Sequence, residues 1–181
     1  MKPSKHYVWD PLVRLFHWSL VGTFCANALF TRPGKITHQW VGYAVAGLIG
    51  LRLIWGLVGT CHARFRDFRL SPSGALRQLA DMATGRRHAH IGHSPLGALM
   101  IYNLLATMAG LAITGYMMTT VAYFGVKWVA MTHETLVTWT EVSIAAHIAA
   151  VVLESRRLRV NLPKSMLTGY KSIPHPDLAD E

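Results

Sequence analysis

"AMTHETLVTWTEVSIAAHIAAVVLE", Ala130 to Glu154, is an apolar stretch carrying two histidines, His133 and His147, fourteen residues apart. Fourteen residues of α-helix turn through about 1400°, about 40° short of four full turns, and rise about 21 Å. The two imidazoles therefore share one helix face, near its opposite ends. A polar ring inside a bilayer is costly, so each needs a partner of its own.

The rest of the chain makes the bilayer the leading context. Its 181 residues are 51% hydrophobic and only 15% charged, with a mean hydropathy of +0.27, whereas soluble domains carry about 25% charged residues. Crossing the hydrocarbon core takes roughly 20 apolar helical residues. Four stretches qualify: residues 12–30, 38–58, 96–121 and 133–153. The sequence therefore predicts an all-α, multi-pass integral membrane four-helix bundle, one domain over residues 1–181. The first stretch, with Arg14, His17 and Trp18, is too long for a cleaved signal peptide and precedes no small-residue cleavage site, so it is expected to stay in the mature protein.

A formal charge of +9 raises the question of nucleic acid, but the cations follow the topology. Fifteen of the 18 Lys and Arg fall on one side of the four-span map, leaving Arg32, Lys35 and Lys127 for the other. The positive-inside rule then places both termini and the loop 59–94 in the cytoplasm. Basicity is accounted for by topology, and no nucleic acid partner is expected.

Within that loop, "SPSGALRQLADMATG" reads as an amphipathic helix lying at the cytoplasmic interface. Ser71 caps it, Pro72 sits in the first turn, Leu76, Leu79, Ala80 and Ala83 form one face, and Gly85 stops it. "TRPGKIT" joins the first two spans as a tight turn. The tail after Leu153 is basic, then acidic, with a mobile end expected. Cys25 and Cys61 fall near opposite membrane faces, which disfavours a disulfide, and the absence of C-x-x-C-H excludes covalent haem attachment.

Of ten histidines, His17, His38, His133 and His147 lie in or at the ends of the spans. With both termini inside, the first helix runs outward and the fourth inward, which puts His17 level with His147 near the cytoplasmic side. His38 and His133 each open a helix on the outer side and form a second level pair. Two imidazole pairs about 20 Å apart along the membrane normal suit two stacked b-type haems in a helical bundle. Gly42 one turn past His38, and Ser143 and Val151 flanking His147, would give a porphyrin flat walls. Gly42, Gly47 and Gly50 alternatively let helices approach closely. "HETLV" lacks the second histidine of a zinc-peptidase motif, no inverted repeat supports a transporter proton relay, and the loop histidines His62, His88, His90 and His93 lack the companions of a metal site.

Taken together, "VWDPLVRLFHW", "HQWVGYAVAGLIGLRLIWG", "HARFRDF", "GHSPLGALM" and "HETL" with a second histidine fourteen residues on resemble the bacterial cytochrome b561 family. That group includes the b-type cytochrome subunit of nickel-iron hydrogenases and the superoxide oxidase. The resemblance runs to about residue 170. It implies a protein of the bacterial inner membrane with two non-covalent b haems, bis-histidine ligated by His17, His38, His133 and His147, exchanging electrons with ubiquinone or menaquinone. The opening motif is closest to the branch that partners hydrogenases or small cytochromes c.

Filled axial positions imply outer-sphere electron transfer. Arg52 and Arg14, charges within or near spans, are placed to meet inner haem propionates or a quinone carbonyl; Arg14 can instead snorkel to headgroups. Trp40, Tyr43, Trp55, Tyr116, Trp128 and Trp139 read as interface or packing residues. Three functions follow. The first is electron transfer between the quinone pool and a periplasmic cytochrome c, dehydrogenase or hydrogenase subunit. The second is superoxide:quinone oxidoreduction, with Arg32, Lys35 and Lys127 steering the anion. The third is a haem-free membrane anchor or transporter.

Overall fold

The computed structural model describes residues 4–86, 89–173 and 179–180. His88 and the last part of the tail, where a mobile end is expected, lie partly or wholly outside the described residues. Four long helices dominate: α1 (Pro11–Phe30), α2 (Ile36–Val58), α4 (Pro95–Met117) and α5 (Lys127–Leu158). Two shorter ones, α3 (Pro72–Thr84) and α6 (Leu162–Thr168), lie at one end of the bundle with strands β1 (Ser4–Tyr7), β2 (Ala89–His90), β3 (Tyr170–Ile173) and β4 (Ala179–Asp180).

The starts are set by local chemistry. Asp10 Oδ1 accepts from Val13 N at 2.8 Å ahead of Pro11. Ser71 caps α3 by accepting from Gly74 N, and Ser94 caps α4 by accepting from Gly97 N. Each cap satisfies an otherwise orphan amide and is worth about 1 kcal/mol. Gly85, at φ +76°, ends α3 in the left-handed conformation that glycine adopts without strain.

Two helix bounds depart from the hydropathy reading, for different reasons. The third long helix ends at Met117 rather than near residue 121, because the hydroxyls of Thr119 and Thr120 donate back to the carbonyls of Tyr116 and Met117 at 2.8 and 2.7 Å and turn the chain. The fourth is longer than 133–153. At 32 residues it spans about 48 Å, well beyond the hydrocarbon core, and Arg156 and Arg157 in its last turn suit the negative end of its dipole.

Helices α2, α4 and α5 are long and apolar enough to cross a membrane, and only 22%, 22% and 11% of their most apolar windows are buried. Apolar surface this extensive on the outside fits lipid as the solvent. Helix α1 has sufficient length, 20 residues, but Arg14, His17 and Asn27 make it less apolar. It packs on α2, which packs on α4, which packs on α5. Val45, Ile49 and Met108 form the shared core, joined by Phe16, Leu20, Phe24, Leu105 and Ala109.

The tail is more ordered than its composition suggests. β3 pairs antiparallel with β1, Ser4 opposite Ile173 and Tyr7 opposite Tyr170. This sets the N-terminal strand and the tail on one side of the bundle. Leu158, Val160 and Ile173 form a second core there with Ile91 and Leu162. These strands escaped the sequence reading because a four-residue strand has no periodicity of its own; its partner 166 residues away creates it.

Helix α3 forms where expected and packs on α4 through Ala75, 3% exposed, and through Gln78 Oε1, which accepts from Leu96 N at 3.0 Å. Leu76 and Leu79 stay 67% and 47% exposed. Its apolar stripe is thus left unpartnered, as a helix resting on a membrane surface requires.

Candidate haem-binding site

All four span histidines are half-buried: His17 on α1, His38 on α2, His133 and His147 on α5. They fall within electrostatic range of each other in pairs, His17 with His147 and His133 with His38. These are the pairs that matched depth selects. Among the described residues, α1 and α5 pack only sparsely on each other, as do α2 and α5. Each histidine pair therefore bridges helices with room between them, while the close packing runs along the other sides of the bundle.

Glycines sharpen this picture. A Cβ added at Gly42, Gly47 or Gly50 would meet nothing within 4 Å. Close helix approach is therefore not their role, and the open space beside Gly42 suits a flat ligand. Close approach occurs instead between α4 and α5, where a Cβ on Gly110 would come within 2.9 Å of Leu136. Gly115 leaves room for the His133 ring, whose Cε1 lies 3.4 Å from where its Cβ would be. Ser143 departs from its expected role as porphyrin wall. It is 5% exposed and its Oγ accepts from Asn103 Nδ2 at 2.9 Å, while Trp139 Nε1 donates to Asn103 Oδ1 at 3.0 Å. Hydrogen bonding turns this side chain toward α4.

His38 and His133 have partners the sequence did not mark. His38 Nδ1 lies 3.0 Å from Thr31 Oγ1, at the end of α1, and His133 Nδ1 lies 2.9 Å from Thr114 Oγ1 on α4. Engaging Nδ1 leaves Nε2 as the nitrogen that can ligate iron. Nothing distinguishes these two threonines from the many others in the chain, because their role is created by the neighbouring helix.

The end that holds His17 and His147 is built differently. Among the described residues, His17 Nδ1 is buried without a hydrogen-bond partner. Arg52 follows His38 by the same fourteen residues that separate His133 from His147, so on α2 it lies on the histidine face at the inner level. It is 4% exposed, Nη1 has no hydrogen-bond partner, and its guanidinium stands 5.1 Å from the Phe65 ring centroid. The guanidinium is thus inside the bundle rather than at its surface. Arg14 has a different partner from either one expected: its Nη1 donates to the carbonyl of Leu167 at 2.6 Å, tying α1 to the end of α6.

Asp10 does more than cap α1. Its Oδ2 accepts from Trp55 Nε1 at 3.1 Å and from the Thr60 hydroxyl, fastening the start of α1 to the end of α2. Burial alone would raise its pKa, but the hydrogen bonds from Thr60, Val13, Trp55 and Leu12 together hold it below the ordinary carboxylate value. The charged carboxylate is also the anion nearest in effect to Arg52.

Beneath this network His93 is wedged between the rings of Trp9 and Phe68, at 4.6 and 4.3 Å between centroids, with its Nδ1 buried and unpaired. Burial, then the charges of Arg52, His62 and Lys171, push its pKa down to about 3. Lys171 is likewise pushed down by burial, to about 8, and donates to the His90 carbonyl. Because folded His93 refuses a proton that the unfolded chain accepts, its contribution to stability is complete above pH 6.5 and is lost as pH falls toward 3. Melting the protein at pH 7 and pH 4 should show an acid loss on the order of a few kcal/mol that shrinks in His93→Phe. An equal acid loss in both proteins would remove His93 as the cause.

Among the described residues no three His, Cys, Asp or Glu cluster closely enough to hold a metal ion, and Cys25 and Cys61 are free. Trp40, Tyr116 and Trp128 are exposed, as interface aromatics are, whereas Trp55 and Trp139 spend their N–H groups on Asp10 and Asn103.

Apolar helices with histidines placed between them are the setting in which membrane proteins of the electron-transfer class hold haem. The chain belongs to the prokaryotic cytochrome b561 family, whose model matches residues 8–169. Members bind b-type haem in the membrane and transfer electrons. No curated protein and no solved structure matches the chain.

Proposed function

We propose that this protein conducts electrons across the bacterial inner membrane between the quinone pool and a periplasmic redox protein, a cytochrome c or a dehydrogenase or hydrogenase subunit. In this reading α1, α2, α4 and α5 are the four spans, with both termini cytoplasmic, as the shared side of β1 and β3 and the basic inner loops support. His17 and His147 hold an inner haem b, His38 and His133 an outer one. The observation that carries the reading is the pairing of these four rings across helices that pack only sparsely on each other among the described residues.

The donor set fits the group: four imidazoles, two with Nδ1 engaged and Nε2 spare, beside glycines with open space. A bis-histidine haem supplies one-electron, outer-sphere transfer with no open coordination site for substrate. The residues do the rest. The histidines fix position and depth, Gly42 and Gly115 leave room, and the buried Arg52 offers a cation to propionate or quinone oxygen at the inner level.

The test is the haem-to-protein ratio of the detergent-purified protein with reduced-minus-oxidised spectra. About two non-covalent, low-spin b haems are expected; one or none would end the four-ligand reading. Superoxide:quinone oxidoreduction is the second reading, favoured by the exposure of Arg32, Lys35 and Lys127 at the outer end. It requires salt-sensitive reduction of the purified protein by superoxide, since steering by exposed charges weakens as ions screen them.

A further inference from the structure

We propose that Thr31 and Thr114 are positioning residues that fix the tautomer of the outer histidines and hold the outer haem at a lower reduction potential than the inner one. The inference rests on the four-histidine reading and adds a direction to it.

A threonine hydroxyl has one proton to give. Thr31 Oγ1 lies 2.7 Å from both the backbone carbonyl and the Oδ1 of Asn27, which can only accept, so its proton is committed there. Thr114 Oγ1 is committed in the same way to the carbonyl of Gly110 at 2.7 Å, with that of Leu111 at 3.3 Å. Each oxygen therefore meets its histidine with a lone pair, at 3.0 Å for His38 and 2.9 Å for His133. Both imidazoles must be the donors, protonated on Nδ1, and Nε2 is left bare.

A ligating imidazole that donates from Nδ1 is a more basic ligand. Stronger donation favours the ferric state, so the potential falls. At the inner end both observations point the other way. His17 Nδ1 has no acceptor among the described residues, and the buried guanidinium of Arg52 disfavours the extra positive charge of the ferric state. The downhill direction is from the outer end to the inner, one electron at a time, with no bond made or broken.

The experiment is a redox titration of the purified holoprotein and of Thr31→Val, Thr114→Val and Thr114→Ser, with haem content measured on each and the outer haem assigned by its loss in His133→Ala. In the wild type the outer potential should be the lower. Each valine variant, equal in shape but without the acceptor oxygen, should raise the outer potential by at least a tenfold change in the equilibrium constant, about 59 mV for one electron, and leave the inner one unmoved. Thr114→Ser should restore the wild-type value. Two haems with unmoved potentials in both valine variants, or with the order reversed in the wild type, would overturn this proposal alone. Fewer than two haems in the wild type would instead overturn the four-histidine reading beneath it.

Discussion

His147→Ala is expected to remove the inner haem and leave most of the outer one, taking the haem-to-protein ratio from about two to about one. The reason is geometric. His147 and His133 share a face of α5 but stand about 21 Å apart along it, so neither can substitute for the other. His17→Ala should give the same spectrum, because His17 is the ring within reach of His147. His38→Ala and His133→Ala should remove the other haem. Difference spectra of the four variants sort them into two pairs, and a His17→Ala protein that lost the haem shared with His38 would show the pairing to be wrong.

Asp10→Ala should be the most destabilising single change outside the histidines. It removes the cap of α1, at about 1 kcal/mol, and leaves Trp55 Nε1 and the Thr60 hydroxyl without their acceptor, at about 1–3 kcal/mol for a buried group. It also takes the nearest carboxylate from the buried Arg52, whose charge then has less to offset it. Together the loss is on the order of 3–5 kcal/mol. Asp10→Asn keeps the shape and an acceptor oxygen but not the charge, and should fall between the two. Thermal unfolding in detergent, compared at one scan rate because such transitions are often irreversible, gives the ranking. An Asp10→Ala protein that melts with the wild type would mean that α1 is held by its packing on α2 alone.

The helices were legible because hydropathy and length are local properties. So were the four histidines, since a polar ring in an apolar stretch stands out and the regularity of the helix turns sequence spacing into depth. The cap at Ser71, with Pro72 after it, was equally plain for α3. Asp10 had no role in the sequence reading, and the two donors from 45 and 50 residues further along make it a joint between helices.

Long-range partnership is what spacing cannot supply. Ser143 looked like a neighbour of His147 because it lies one turn away; its hydroxyl is claimed by Asn103 on another helix. Arg14 looked like a headgroup or propionate contact, and the carbonyl of Leu167, 153 residues on, takes it instead. His93 had no role in the sequence, and its low pKa exists only because Trp9, Phe68 and Arg52 converge on it.

By itself, the sequence determined that this chain is a helical membrane protein and where along its helices four imidazoles fall, because apolar composition and the pitch of a helix are both written residue by residue. Tertiary structure alone decided which helices leave room between them, which threonine meets His38 and which His133, and that the Arg52 guanidinium is buried. Those depend on side chains from different helices meeting at one point, and no pattern along a single segment encodes that meeting.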